Sequence, residues 1–197
     1  MAIAISIAKI NLTVGDLSGN TEKIIAAAHQ ARDEQSADLV VFPELTITGY
    51  PPEDLLFRPS FISAVEKQLE ILKEGIQGIA VLVGYPKLEN GSLYNAAGLI
   101  QNNAISVEYF KQALPNYSVF DEKRYFTSGD QPVVFDFQGT RFGITICEDI
   151  WEDEPLSKTA EAGAKIILNL NASPFDSNKS LRRELLLTRQ AAKNNVA

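Results

Sequence analysis

The sequence has one cysteine and one histidine in 197 residues. A single cysteine excludes an internal disulfide and fits a reducing compartment, here the cytoplasm. With no repeated Cys or His, there is no paired metal-ligand spacing. Basic residues are outnumbered, 18 Lys and Arg against 25 Asp and Glu, for a formal net charge of −7. That balance argues against a broad nucleic-acid-binding face and favours solubility. No run approaches the roughly 20 apolar residues of a membrane-spanning helix. The opening stretch Met1–Ala8 has no basic residues before it and is interrupted by Lys9, so it reads as a buried strand and not as a targeting segment. The chain also lacks a Gly-x-x-x-x-Gly-Lys phosphate loop, a Gly-x-Gly-x-x-Gly turn and a Gly-x-Ser-x-Gly elbow.

What is present is an ordinary globular composition, 45% hydrophobic and 22% charged. Ile3, Ile5 and Ile7 alternate with small residues across Ala2–Leu12, predicting a strand covered on both faces. A helix is predicted from Asn20 or Thr21, then a strand over Asp38–Phe42 that stops at Pro43. Ile62, Val65, Leu69 and Leu72 form an apolar stripe on a helix from Ser60 to about Glu74. Ile79–Gly84 reads as a strand. Leu93–Gln101 with Ile105–Phe110, and Pro132–Phe137 with Thr140–Cys147, read as hairpins across Asn102-Asn103 and Gln138-Gly139. Helices at Pro155–Ala162 and Lys179–Lys193 bracket a strand at Lys165–Leu170. The pattern is an α/β protein, with a mixed sheet or two sheets covered by helices.

Three chemically unusual residues close strand-like runs. Glu44 ends Val40–Glu44, Lys111 ends Ser106–Lys111, and Cys147 ends Arg141–Cys147. In open α/β folds, chemistry collects at the carboxyl ends of strands. Taken singly, Cys147 reads as a buried structural thiol and Lys111 as a solvated lysine. Together they make a coherent site. The only histidine, His29, falls in mid-helix, so the base for a nucleophilic Cys147 is predicted to be a carboxylate, Glu44. Lys111 would lower the thiol pKa and stabilise an oxyanion, with the Glu148 N–H as the second donor. Glu148, Asp149, Glu152 and Asp153 could form a carboxylate metal site, but a solvated acidic turn explains them more simply.

The order Glu44, Lys111, Cys147 resembles the nitrilase, or carbon–nitrogen hydrolase, superfamily. The stretches Phe42–Leu56, Lys111–Phe126, Cys147–Glu152 and Asn169–Phe175 resemble one branch of it, the glutaminase domains of glutamine-dependent NAD+ synthetases. The resemblance implies a nitrilase-like α-β-β-α sandwich of two mixed sheets. It implies Cys147 as nucleophile toward the side-chain amide of L-glutamine, Glu44 as general base and Lys111 as electrostatic support. By position it assigns Tyr117, Ser173 and Lys179 to holding glutamine. Turn packing, a residue preceding Pro174, and a solvated helix start are the simpler readings of those three.

The family pattern also implies no cofactor and no metal for this domain. ATP, Mg2+ and deamido-NAD+ would serve an ATP-dependent domain absent from residues 1–197, whose sandwich is expected to be incomplete at its C-terminal end. It further implies homo-oligomers, with no nucleic acid or membrane partner. A stand-alone amidase for another small amide would use the same three residues. A non-catalytic interaction module would need none of them.

Overall fold

Asp16 sets the start of the first helix, α1 (Leu17–Gln35), because its Oδ1 accepts the Gly19 N–H at 3.0 Å. The helix therefore begins a turn earlier than the sequence pattern predicts. Asn20 caps nothing. It is buried, and its amide bonds the Thr13 and Ile47 carbonyls, fastening α1 to two loops. The computed structural model describes residues 2–174 and 179–197, apart from the Lys179 side chain.

The first sheet has the order β1 (Ile5–Ile7), β2 (Leu39–Val41), β3 (Ala80–Glu89), β4 (Ser92–Gln101), β5 (Ala104–Phe110). Its first three strands run parallel and its last three form an antiparallel meander. The second sheet is β6 (Val133–Phe137), β7 (Thr140–Ile146), β8 (Ile166–Leu170), with β6 and β7 antiparallel and β7 and β8 parallel.

Strand alternation decides where each side chain goes. Val40, Val81, Val83, Tyr85, Ala96 and Ile100 pack under α1 and α2 (Pro59–Gly75). Their neighbours Leu39, Leu82, Leu99 and Tyr109 face the other way, onto Phe142, Ile144, Ile146 and Leu168 of the second sheet. Helix α3 (Asp153–Glu161) covers the outer face of that sheet. A Cβ at Gly143 of β7 would lie 2.3 Å from the Thr159 methyl, so glycine lets helix and strand approach. Helix α4 (Lys179–Asn194) packs beside α3. The result is helices, sheet, sheet, helices, with one apolar core under α1 and α2 and another between the sheets.

Two further expectations change. β1 covers only Ile5–Ile7 and is an edge strand, paired with β2 alone, so Ile7 is 78% exposed instead of buried on both faces. β3 runs on past Gly84 to Glu89, because β4 returns beside it across the Asn90-Gly91 turn. The hairpins at Asn102-Asn103 and Gln138-Gly139 form as predicted. Among the described residues, no helix is long and apolar enough to cross a membrane.

Candidate active site

Glu44 lies just beyond β2, in a turn that continues through Thr48. The turn sits hard against β3: a Cβ at Gly84 would be 2.5 Å from Leu45 N and 2.8 Å from Pro43 O. Only glycine leaves that space, and it brings the Glu44 carboxylate inward with 1% residue exposure. Lys111 directly follows β5, and its N–H donates to the Asn95 carbonyl at 2.9 Å, prolonging the β4–β5 ladder by one bond. Its own carbonyl accepts the Gly129 N–H at 2.8 Å. With both backbone groups paired, the side chain turns inward and is fully buried, not solvated.

Cys147 directly follows β7 at a positive φ of 44° and opens a 3-10 turn over Cys147–Ile150. For a non-glycine residue that backbone is strained, and such strain is held only where neighbours over-determine it. Asp149 supplies the restraint. Its carboxylate accepts from Ile146 N at 2.8 Å, Ala113 N at 2.7 Å, Gln112 N at 3.0 Å and the Tyr109 hydroxyl at 2.7 Å. It thus ties the cysteine turn to the segment following Lys111. Burial pushes the Asp149 carboxyl up to about 6, against the pull of these donors. The acidic run is therefore not a solvated turn at Asp149. Among the described residues, no group of His, Cys, Asp and Glu could hold a metal ion.

The site is a buried charge cluster. Lys111 Nζ donates to Glu44 Oε1 at 2.7 Å and to both oxygens of Glu122, at 2.7 and 2.8 Å. Asn95 Nδ2 also donates to Glu44 Oε1, at 2.8 Å. Burial works against the Lys111 charge, but Glu44 and Glu122 outweigh it and hold the amine above its ordinary value. Glu122 is pushed up to about 7 by burial and by the neighbouring Glu44 charge, against the pull of Lys111. The Cys147 thiol is pushed up to about 12 by burial and by Glu44, opposed by Lys111 and by Ser173. Ser173 Oγ lies 3.5 Å from Sγ. Burial and the Glu44 charge thus favour the protonated thiol, which has the Ser173 hydroxyl beside it.

The structure gathers Glu44, Lys111, Cys147 and Ser173 into one place. Tyr117 stands at the rim, 54% exposed, its hydroxyl donating to Glu148 Oε1 at 2.8 Å. Lys179 begins α4, but its side chain lies outside the described residues, as does Phe175 of the last family-like stretch. Sequence reasoning missed Glu122 and Asn95. Glu122 sits in the charged run Asp121–Arg124, which looks like any solvated turn. Asn95 left a fainter signal, a lone amide in an otherwise apolar strand.

Two stacked mixed sheets under outer helices bring a buried carboxylate, amine and thiol together beyond their strand ends, which makes this a layered α/β protein with a cysteine-centred candidate site. The chain belongs to the carbon-nitrogen hydrolase family, whose profile matches residues 3–196. It is 43% identical over 198 residues to the glutamine-dependent NAD(+) synthetase of Xanthomonas campestris pv. campestris (strain 8004). That match covers 99% of this chain and 36% of the relative. Among solved structures, the glutamine-dependent NAD+ synthetase from Acinetobacter baumannii superposes with a TM-score of 0.93 at 37% identity, over 98% of this chain and 36% of that one. An amidase from Nesterenkonia sp. superposes with a TM-score of 0.85 at 24% identity, over 98% of this chain and 73% of its own, a likeness of fold. The chain spans about a third of the length of the synthetases it matches.

Proposed function

We propose that this chain is the glutamine-hydrolysing part of a glutamine-dependent NAD+ synthetase. The observation that carries the chemistry is the buried Glu44–Lys111 pair beside the Cys147 thiol. The identity to synthetases along nearly the whole chain supports glutamine as the amide.

In this reading the Cys147 proton passes to the Glu44 carboxylate, and the thiolate attacks the side-chain amide carbon of glutamine. A thiol pushed up to about 12 does not ionise unaided near neutral pH, so a base must act in the attacking step. Lys111 and the Glu148 N–H stabilise the oxyanion. Glu44 returns its proton to the leaving nitrogen, the C–N bond breaks, and ammonia departs from a γ-glutamyl thioester. Water then gives a proton to Glu44 and attacks the thioester. The thiolate leaves and recovers that proton, releasing glutamate. Glu122 holds Lys111 in place. Tyr117, Ser173 and Lys179 bind the glutamine. The hydrolysis needs no cofactor, and the ammonia serves amidation of deamido-NAD+ with ATP and Mg2+ elsewhere in the whole protein.

The test is mass-spectrometric mapping of a glutamine-mimicking electrophile. A single adduct on Cys147 that glutamine blocks, and asparagine and simple aliphatic amides do not, is the expected result. Labelling that glutamine cannot block would replace this reading with an amidase for another small amide.

A further inference from the structure

Asn95 lies on β4 with its side chain fully buried. Its Nδ2 and the Lys111 Nζ converge on the same oxygen, Glu44 Oε1, at 2.8 and 2.7 Å. The other oxygen, Glu44 Oε2, is buried and has no hydrogen-bond partner among the described residues, and the same holds for Asn95 Oδ1 beside it. Such an atom is costly to bury unless something is to be bound there. Lys111 treats its second carboxylate differently, since Nζ reaches both oxygens of Glu122. Glu44 meets the same ammonium through one oxygen only, the one that Asn95 also holds. Two donors on Oε1 fix the carboxylate with Oε2 left over.

We propose that Asn95 is a positioning residue that divides the work of Glu44: Oε1 anchors the carboxylate and Oε2 takes the thiol proton. The inference rests on Glu44 being the base for Cys147. Asn95 also holds the other side of the ion pair, because its backbone carbonyl accepts the Lys111 N–H at 2.9 Å. One residue thus fixes the carboxylate through its side chain and the amine through its main chain. The titratable groups around it come from separate elements: Glu44 after β2, Lys111 after β5, Glu122 in a 3-10 turn, Cys147 after β7, and Tyr50 in the loop beyond Glu44, within electrostatic range of Glu44, Glu122 and Lys111.

Two substitutions in the full-length protein test this. Asn95→Ala removes the donor. Asn95→Asp keeps the shape, and its carboxyl can donate to Oε1 only while protonated. Asn95→Ala is expected to lower kcat for glutamine hydrolysis roughly 10²-fold, the scale of a lost base contribution, with KM changed less than about threefold. Asn95→Asp is expected to be most active at the acid end and to lose activity as pH rises, on a limb wild type does not show. A merely structural role would give no such pH limb.

Wild-type kcat in folded Asn95→Ala would overturn the proposal. So would folded Asn95→Asp that is inactive at every pH or that keeps the wild-type profile. If Asn95→Ala does not fold, the Asn95→Asp profile decides. The underlying reading is checked separately on wild type. Wild type unlabelled at Cys147 by the glutamine mimic sinks the reading itself. Wild type and variants labelled alike, with one pH dependence, sink only the role of Asn95.

Discussion

Lys111 and Glu122 share a two-oxygen contact, 2.7 and 2.8 Å, with both side chains almost wholly out of water. On its other side the same ammonium meets Glu44 at 2.7 Å. Two carboxylates therefore face one amine in the interior, so the cluster favours holding one extra proton.

Glu122 gives the pH dependence of stability. Its carboxyl is pushed up from 4.5 to about 7 by burial and by the Glu44 charge. An acid whose folded pKa is raised binds its proton more tightly in the native state. Its contribution to stability is therefore fully present below 4.5 and is lost as pH rises toward 7. Glu122→Gln should thus gain stability relative to wild type through that window. Urea unfolding of both proteins from pH 4 to 8 checks the sign, and a difference that does not change with pH would refute it.

Glu44→Gln should separate reactivity from catalysis. Next to burial, the Glu44 charge is the largest influence raising the Cys147 thiol toward about 12. Without that charge, Lys111 acts on the thiol less opposed, and its pKa should fall. The ultraviolet absorbance of the thiolate, titrated against Cys147→Ala, should therefore shift to lower pH. Glutamine hydrolysis should fall by roughly 10²- to 10⁴-fold, the usual contribution of a general base. A thiol that titrates higher in Glu44→Gln would contradict the arrangement.

Gly84→Ala should damage the site without touching a charged group. The added Cβ would sit 2.5 Å from Leu45 N and 3.0 Å from the Glu44 carbonyl carbon, and backbone must move to admit it. Overpacking of this kind costs about 1–3 kcal/mol. Loss of glutamine hydrolysis larger than the loss of stability explains is expected, because the moved turn carries Glu44. Unfolding and steady-state kinetics on the same preparation would show whether the two losses separate.

Tyr117→Phe tests the rim. It deletes a hydroxyl bonded to Glu148 at 2.8 Å and leaves the ring. KM for glutamine is expected to rise on the order of tenfold, with kcat within about twofold. A fall in kcat at constant KM would place Tyr117 in the chemistry and not in binding.

Much of this was legible in the chain. The hairpins, the strands that precede Glu44, Lys111 and Cys147, and the apolar stripe of α2 follow from local periodicity and turn residues. Boundaries slipped where a distant partner decided them. β3 runs on because β4 pairs with it, and Asn20 joins loops instead of capping a helix. Ile7 is apolar by sequence and exposed at a sheet edge by topology.

The sequence by itself determined the order of the elements and the residue types able to attack an amide, because periodicity, turn chemistry and side-chain chemistry are local properties. Only the tertiary structure decided that Lys111 is buried, that Glu122 and Asn95 join it, and that Asp149 pins the turn carrying Cys147. Each of those contacts joins residues far apart along the chain or on different elements. Burial and neighbouring charge, which set protonation, exist only once two sheets and a loop have closed around them.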